Sequence, residues 1–237
     1  MSKRAVILAG GKGSRLRPYT VVLPKPLMPI GDYPILEVII KQLKYYGFDH
    51  ITLAVNHQAD LLKSYFSSGE KWSVKIDYSL ETTPLGTMAP LKMIHDLPDN
   101  FLVMNGDVLT DLNFNSFYEK HSNSNALFTI SSKERVNLID FGVLEMNDEN
   151  TLTGFIEKPN NAYRVSMGVY ALNKKVMDFI PGDQYFGFDS LMYKLLEAKE
   201  TVKIHSHPGY WLDIGRPDDY MEAIEKFETD KSLFLND

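Results

Sequence analysis

Apolar residues along the chain fall into two rhythms, and the alternation between them predicts the architecture. Arg4 to Leu8 (RAVIL) is a short β-branched, apolar run followed by glycines, the pattern of a strand buried on both faces of a parallel sheet. His50 to Val55 (HITLAV), Val74 to Ser79 and Phe101 to Met104 (FLVM) repeat that signal. Segments of helical period lie between them. Pro34 opens PILEVIIKQLKYYG, with Ile35, Ile39, Leu43 and Tyr46 at helical spacing and Gly47 as a stop. Ala59 to Phe66 predicts a second helix and Thr87 to His95 a third. Strands that alternate with helices imply right-handed crossovers and parallel pairing.

From Ala126 onward the texture changes to paired runs, ALFTIS, FGVLEM, TLTGFIEKP and VSMGVYAL, separated by polar turns. These predict an antiparallel or mixed extension of the same sheet, closed by helices near Asp189 to Ala198 and Pro217 to Phe227. The expected fold class is α/β: a three-layer domain with a mixed, mainly parallel central sheet and its site at the C-terminal strand edges. No repeat, low-complexity tract or flexible linker interrupts the pattern, so residues 1–237 read as a single domain.

Composition narrows the function. At 237 residues and 44% hydrophobic, the chain can bury a sizeable core. Its net charge of -6 argues against a polyanion such as duplex nucleic acid as partner, which makes the cations near the N-terminus a local feature. The absence of cysteine removes disulfides, thiolate metal sites and thiol nucleophiles and suits a reducing cytoplasm. MSKRAVILAGG mimics a secretory leader, but its apolar run breaks at Gly10. No apolar stretch approaches the roughly 20 residues that span a bilayer, so the expectation is a cytoplasmic protein without membrane contact.

The candidate chemistry begins in LAGGKGSRLRPYTVVLPKPL, residues 8–27. Neither G-x-x-x-x-G-K-[ST] nor G-x-G-x-x-G fits Gly10, Gly11 and Gly13, so a P-loop NTPase or a dinucleotide oxidoreductase is disfavoured. Glycines after a buried strand still let backbone N–H groups approach an anion or a flat base. Arg15 and Lys25 would supply charge for a polyphosphate, with Pro24 and Pro26 restricting the backbone around the lysine. A surface loop with solvated cations is the bland alternative. A second candidate is Asp107, whose turn Asn105-Gly106-Asp107 follows the FLVM strand and places a carboxylate at its C-terminal edge.

LAGGKGSRLRPYT followed by PKPLMPIGDYPILE resembles the sugar-1-phosphate nucleotidyltransferases, which join a nucleoside triphosphate to a sugar 1-phosphate and release pyrophosphate. The resemblance continues in family order through ETTPLGT, MNGDVLTD, FGVLE, FIEKP, MGVY and YWLDIGRPDDY. It is closest to mannose-1-phosphate guanylyltransferase-like catalytic domains. It implies a Rossmann-like nucleotidyltransferase domain, here without the C-terminal β-helix domain of larger guanylyltransferases. Its partners would be a nucleoside triphosphate, GTP favoured, and a sugar 1-phosphate, mannose-like favoured; a homo-oligomer is compatible with it.

By the same resemblance, Leu8, Gly10, Gly11, Gly13, Ser14 and Gly86 would bind the nucleotide, and Arg15 and Lys25 would act on its phosphates. Asp107 and Asp213 match the family's metal-binding acids, and two carboxylates with phosphate oxygens and waters suit Mg²⁺. Gly142, Glu157, Lys158 and Gly168 match the sugar-phosphate segments, with Glu157 accepting from sugar hydroxyls and Lys158 holding the phosphate. No general base is assigned, because a phosphate is already a competent nucleophile near neutral pH. Two departures bear on specificity. Met88-Ala89-Pro90 stands where many relatives carry Ala-Gly-Ala, and Ser166 where they carry asparagine.

The remaining signals favour structural roles. His205 and His207 alternate on a strand-like run without a third ligand, and Tyr185, Phe186 and Phe188 suit core or pocket wall. Thymidylyl, uridylyl or cytidylyl transfer fits the same framework, as does a regulatory, nucleotide-binding homologue. A glycosyltransferase that consumes a nucleotide sugar fits less well, since its Asp-x-Asp type motif has only the spread pair Asp107 and Asp111 as a counterpart.

Overall fold

The computed structural model describes residues 3–56, 58–182 and 184–235. In chain order its strands are β1 (Lys3–Leu8), β2 (Pro29–Ile30), β3 (Tyr33–Pro34), β4 (Phe48–Val55), β5 (Lys75–Leu80), β6 (Asn100–Asn105), β7 (Val108–Thr110), β8 (Phe128–Leu138), β9 (Val143–Met146), β10 (Leu152–Ile156), β11 (Asn160–Asn173), β12 (Val202–Ser206) and β13 (Trp211–Asp213). Its helices are α1 (Ile35–Tyr45), α2 (Ala59–Phe66), α3 (Phe114–Ser122), α4 (Phe188–Glu197), α5 (Pro217–Thr229) and α6 (Lys231–Phe234). Seven strands form one sheet in the order β12-β8-β11-β6-β1-β4-β5. Pairing is parallel from β6 through β1 and β4 to β5 and again between β12 and β8, while β11 runs antiparallel to both β6 and β8. The sheet is therefore mixed and mainly parallel, with helices on both faces.

The alternation of β1 explains the three layers. Ala5 and Ile7 point into a core shared with α1, α2, α3 and α5. Val6 points the other way, toward Phe101, Val103 and the helix α4. All three are fully buried, so β1 is covered on both sides, as its unbroken apolar run predicts. Helix α1 starts after Pro34 and its chain leaves through Gly47 at φ +83°, a left-handed exit that suits glycine. Between them, Leu36, Ile39, Ile40 and Leu43 are buried along one stripe.

Three features differ from the sequence expectation. The runs FGVLEM and TLTGFIEKP do not extend the main sheet, since β9 and β10 pair antiparallel with each other as a separate two-stranded ladder. Residues 87–95 form only a short 3₁₀ helix, Ala89–Met93, because Pro90 sits near its start and the N–H groups of Met88 and Ala89 turn away to donate to the Phe186 carbonyl at 3.0 and 3.2 Å. Helix α3, which the apolar pattern does not announce, is started by Asn113, whose Oδ1 accepts from the Ser116 N–H at 2.8 Å. Among the described residues no helix is long and apolar enough to cross a membrane.

His121 on α3 is 2% exposed, and its Nδ1 lies 2.8 Å from Thr129 Oγ1 on β8. Burial pulls its pKa down to about 4, with Lys203 adding to the effect. The native state thus binds fewer protons than the unfolded chain between about pH 6.5 and 4, so this contribution is complete above that window and is lost as the pH falls through it. Urea unfolding should show a loss on the order of 3 kcal/mol from this group between pH 7 and 4. The His121→Gln variant should lose correspondingly less over the same range; an identical loss would contradict the assignment.

Candidate active site

The C-terminal ends of β1 and β6 adjoin, since Leu8 pairs with Asn105, and the chain leaving each contributes to one cleft. The Gly106 N–H donates to the Leu8 carbonyl at 3.0 Å, which holds the turn after β6 against the start of the glycine loop. A cavity of about 400 Å³ opens here, floored by Leu8, Gly10, Gly11, Asn105 and Asp107 and walled by Glu81, Gly86 and Tyr185. It lies at the strand ends where an open α/β sheet places ligands.

The loop after β1 has one geometrically demanding glycine. Gly13 takes φ +59°, and a Cβ there would sit 2.9 Å from Thr20 Cγ2. Its carbonyl accepts from Thr20 Oγ1 at 2.7 Å and from the Leu16 N–H at 2.9 Å, which folds Ser14–Leu16 into a single 3₁₀ turn with Leu16 buried. Ser14 and Arg15 are exposed on that turn. The Arg15 guanidinium reaches Gly215, where an added Cβ would come within 3.3 Å of it. Gly11 meets no neighbouring atom within 4 Å of such a Cβ, so its lack of a side chain leaves space in the cleft rather than serving packing.

Lys25 closes the site from the other side of the loop. Its short 3₁₀ turn, Lys25–Leu27, is set by Pro24 and Pro26, and the residue is 9% exposed. Lys25 Nζ donates to Asp107 Oδ2, forming an ion pair at the end of β6. The second oxygen of that carboxylate, Oδ1, is buried without a hydrogen-bond partner among the described residues.

Asp213 is brought beside this pair by the small antiparallel ladder of β7 and β13, in which Asp213 pairs with Val108 and the Ile214 N–H donates to the Asp107 carbonyl at 3.0 Å. Burial and the neighbouring Asp107 carboxylate push the Asp213 acid above the usual carboxylate range, against the pull of Lys25 and Arg15. Two carboxylates that repel each other, one with an orphaned buried oxygen, form an oxygen-only donor set that a hard divalent cation would satisfy. No group of three or more His, Cys, Asp or Glu side chains could hold a metal among the described residues, so the remaining ligands would come from substrate and water.

Gly168 belongs to the same neighbourhood. It lies buried in β11 at φ +72°, and a Cβ would approach Asn105 Nδ2 to 2.6 Å. Trp211 Nε1–H donates to the adjacent Met167 carbonyl at 2.8 Å, which ties β13 to this point of β11. Gly86, at φ +86°, is required by the Phe186 carbonyl, only 2.8 Å from where its Cβ would be. Gly142 packs under the Phe155 ring, and its Cβ would come within 3.2 Å of Glu157 Oε2. Glu157 and Lys158 are exposed between β10 and β11, and Lys158 holds φ +46°, uncommon for a residue with a side chain. Among the described residues no hydrogen bond or ion pair joins either of them to Lys25, Asp107 or Asp213, and both lie on an open, exposed edge.

Other sequence candidates have structural partners. His207 Nε2 lies 2.7 Å from Asp111 Oδ1, so Asp111 is committed away from Asp107, and His205 packs against the Phe117 ring at 5.2 Å. Phe186 is buried, Phe188 stacks on Tyr170 at 4.9 Å, and Tyr185, 70% exposed, edges the cleft. Glu81, Asn56 and Lys12 also line the cleft without having been singled out from the sequence.

A mainly parallel α/β sheet with a glycine loop and a lysine–aspartate pair at its C-terminal edge defines a nucleotide-handling class of domain. The chain belongs to the nucleotidyl transferase family, whose model matches residues 4–230. It is 34% identical to the mannose-1-phosphate guanyltransferase of Yarrowia lipolytica, over 93% of this chain and 62% of that protein. It is 33% identical to the UTP--glucose-1-phosphate uridylyltransferase of Synechocystis sp., again over 93% of this chain and 62% of that one. The chain therefore spans less than two thirds of the length of these curated relatives. Among solved structures, HddC from Yersinia pseudotuberculosis matches with a TM-score of 0.73 at 29% identity, covering 95% of this chain and 99% of that chain. The same protein has been solved complexed with GMP-PN.

Proposed function

We propose that the chain transfers a nucleotidyl group from a nucleoside triphosphate, GTP favoured, to a sugar 1-phosphate of mannose-like type, and releases pyrophosphate. The observation that carries this reading is the Lys25–Asp107 ion pair at the end of β6, beside Asp213 and facing the cleft of the glycine loop. The guanyltransferase and uridylyltransferase relatives, similar at nearly equal identity, support the reaction class and leave the base to the chain's own residues.

In this account the open backbone at Gly11 admits the triphosphate, and Arg15 draws charge toward the pyrophosphate that will leave. Lys25 neutralises the α-phosphate as a phosphate oxygen of the sugar 1-phosphate attacks the α-phosphorus. One P–O bond forms there and the bond to the β-phosphate bridging oxygen breaks, with its electrons leaving on pyrophosphate. Asp107 and Asp213 would hold Mg²⁺, which supplies neutralisation of phosphate charge when bound. Glu157 and Lys158, on the open edge, would receive the sugar and its phosphate.

Pyrophosphate release with GTP, dTTP, UTP, CTP and ATP, each against mannose and glucose 1-phosphates, tests the reading. A productive pair is the expected result; a folded protein that binds nucleotide and releases none would overturn it in favour of a regulatory role. Gly13→Ala offers a narrower check. Holding a side chain in the left-handed region costs about 1–2 kcal/mol, and the Thr20 contact adds to it. Nucleotide KM should rise roughly tenfold or more as the loop shifts. An unchanged KM would show that this turn does not shape the nucleotide site.

A further inference from the structure

Asp107 and Asp213 are carried by a small element that cannot hold its own register. Asp107 directly precedes β7 and Asp213 ends β13, and these two strands form a separate ladder of three residue pairs. An isolated pair of strands is marginal in water. No tight turn sets the pairing either, because the two strands lie far apart in the chain. A slip of one residue would turn Asp213 to the opposite face, so the ladder needs an anchor.

The anchor lies at the end away from the acids. Asp213 pairs with Val108 at the site end and Trp211 with Thr110 at the other. Just beyond that other end, His207 Nε2 lies 2.7 Å from Asp111 Oδ1 and 3.3 Å from the Tyr210 carbonyl oxygen. Both oxygens are acceptors, so Nε2 carries a hydrogen and donates. The same Tyr210 carbonyl accepts from Thr110 Oγ1 at 2.8 Å and from the Asp111 N–H at 3.3 Å. The pair is tightly enclosed: the His207 and Asp111 side chains are 10% and 21% exposed, and a Cβ on Gly209 would overlap the Asp111 carboxylate. The connection that carries His207 is itself fixed to β8, where the His207 N–H donates to the Ser132 carbonyl at 2.8 Å and Lys133 Nζ donates to the Pro208 carbonyl at 2.6 Å and to that of Gly209. One imidazole thus joins the end of β7 to the start of β13, on the order of 10 Å from the acids by the rise per residue of a strand.

We propose that His207 is a positioning residue for Asp107 and Asp213: by donating to Asp111 it clamps the far end of the β7–β13 ladder and keeps the two carboxylates side by side for one divalent cation. This rests on the nucleotidyl-transfer reading of the cleft. The two acids repel each other, and burial disfavours charge on Asp213, so without a cation the site is pushed toward opening and the clamp resists that push.

The test uses Mn²⁺ as a hard, oxygen-seeking probe and reads binding rather than turnover. Calorimetry measures GTP affinity without sugar phosphate, once in EDTA and once with Mn²⁺, for the wild type, His207→Leu, Asp111→Ala, their double variant and His207→Gln, each checked for native circular dichroism. The wild type should bind GTP more tightly with Mn²⁺ than without. Either single variant should lose about tenfold of that gain, the lower end of what partners behind a metal ligand contribute, while metal-free GTP affinity stays within a few-fold. The double variant should lose no more than either single one, because both break the same contact. Glutamine places an amide N–H near the position of Nε2, so His207→Gln should keep most of the gain. Because His207→Leu and Asp111→Ala remove the contact from opposite sides, either one that folds suffices. An undiminished gain in the variants would overturn the proposal, as would equal losses with and without Mn²⁺, the mark of general loosening. His207→Gln as impaired as His207→Leu would overturn it too. Wild-type turnover with sugar 1-phosphate alongside an undiminished gain in the variants would remove the His207 role and leave nucleotidyl transfer standing. A Mn²⁺-specific loss in a protein without turnover would support the His207 role and remove the reaction.

Discussion

Replacing Asp107 by asparagine should lower turnover by at least about a thousandfold, while the protein stays folded and still binds nucleotide within a few-fold of the wild type. A thousandfold corresponds to about 4 kcal/mol of transition-state stabilisation, the scale reached when a divalent cation loses an anionic anchor in a phosphate site. The substitution keeps size and shape at the turn after β6, and the Gly106 bond to Leu8 comes from backbone, so local structure has little reason to change. It also removes a charge that adds to burial in raising the Asp213 acid, and Lys25 loses its ion-pair partner. Turnover within tenfold of the wild type would show that Asp107 does not touch the reacting phosphates. Loss of thermal stability by many degrees would assign it a structural role instead.

Lys25→Met should cost turnover about a hundredfold to a thousandfold, the range seen when one preorganised donor to a developing charge is removed. Methionine keeps the unbranched stem, so the packing of the Lys25–Leu27 turn is largely preserved. What disappears is the cation that pairs with Asp107 Oδ2, leaving both oxygens of that carboxylate without a partner among the described residues. If the pair acts as a unit, Lys25→Met combined with Asp107→Asn will lose much less activity than the product of the two single losses. Full additivity of the two effects on kcat would contradict a shared role. The measurement is a four-point cycle of steady-state pyrophosphate release.

The strands of the central sheet were legible because burial on both faces writes an unbroken β-branched run, as in RAVIL and FLVM, and Ala59–Phe66 was bounded correctly by its own periodicity. Helix α3 was not, since FNSFYEKHS is polar on average and only the Asn113 cap marks its start. Residues 87–95 carry a helical apolar spacing that Pro90 and the Phe186 carbonyl override. The glycine loop and Asp107 could be placed from the sequence because each follows a strand end, and Arg15 and Lys25 because they lie in the loop that continues from β1. The pairing of β7 with β13, which carries Asp213 to Asp107 from over a hundred residues away, is a tertiary event that no local pattern encodes. Glu81 was hidden for the same reason: only the parallel packing of β5 outside β4 brings its carboxylate back over Gly10.

The most direct measurement is phosphorus NMR of a single reaction containing the protein, GTP, mannose 1-phosphate and Mg²⁺, followed in time with and without the sugar phosphate. Nucleotidyl transfer predicts pyrophosphate and a sugar-linked nucleoside diphosphate appearing in equal amounts, only when the sugar phosphate is present, and not with Asp107→Asn. Formation of nucleoside diphosphate and orthophosphate, or an unchanged spectrum from folded protein saturated with GTP, would contradict it.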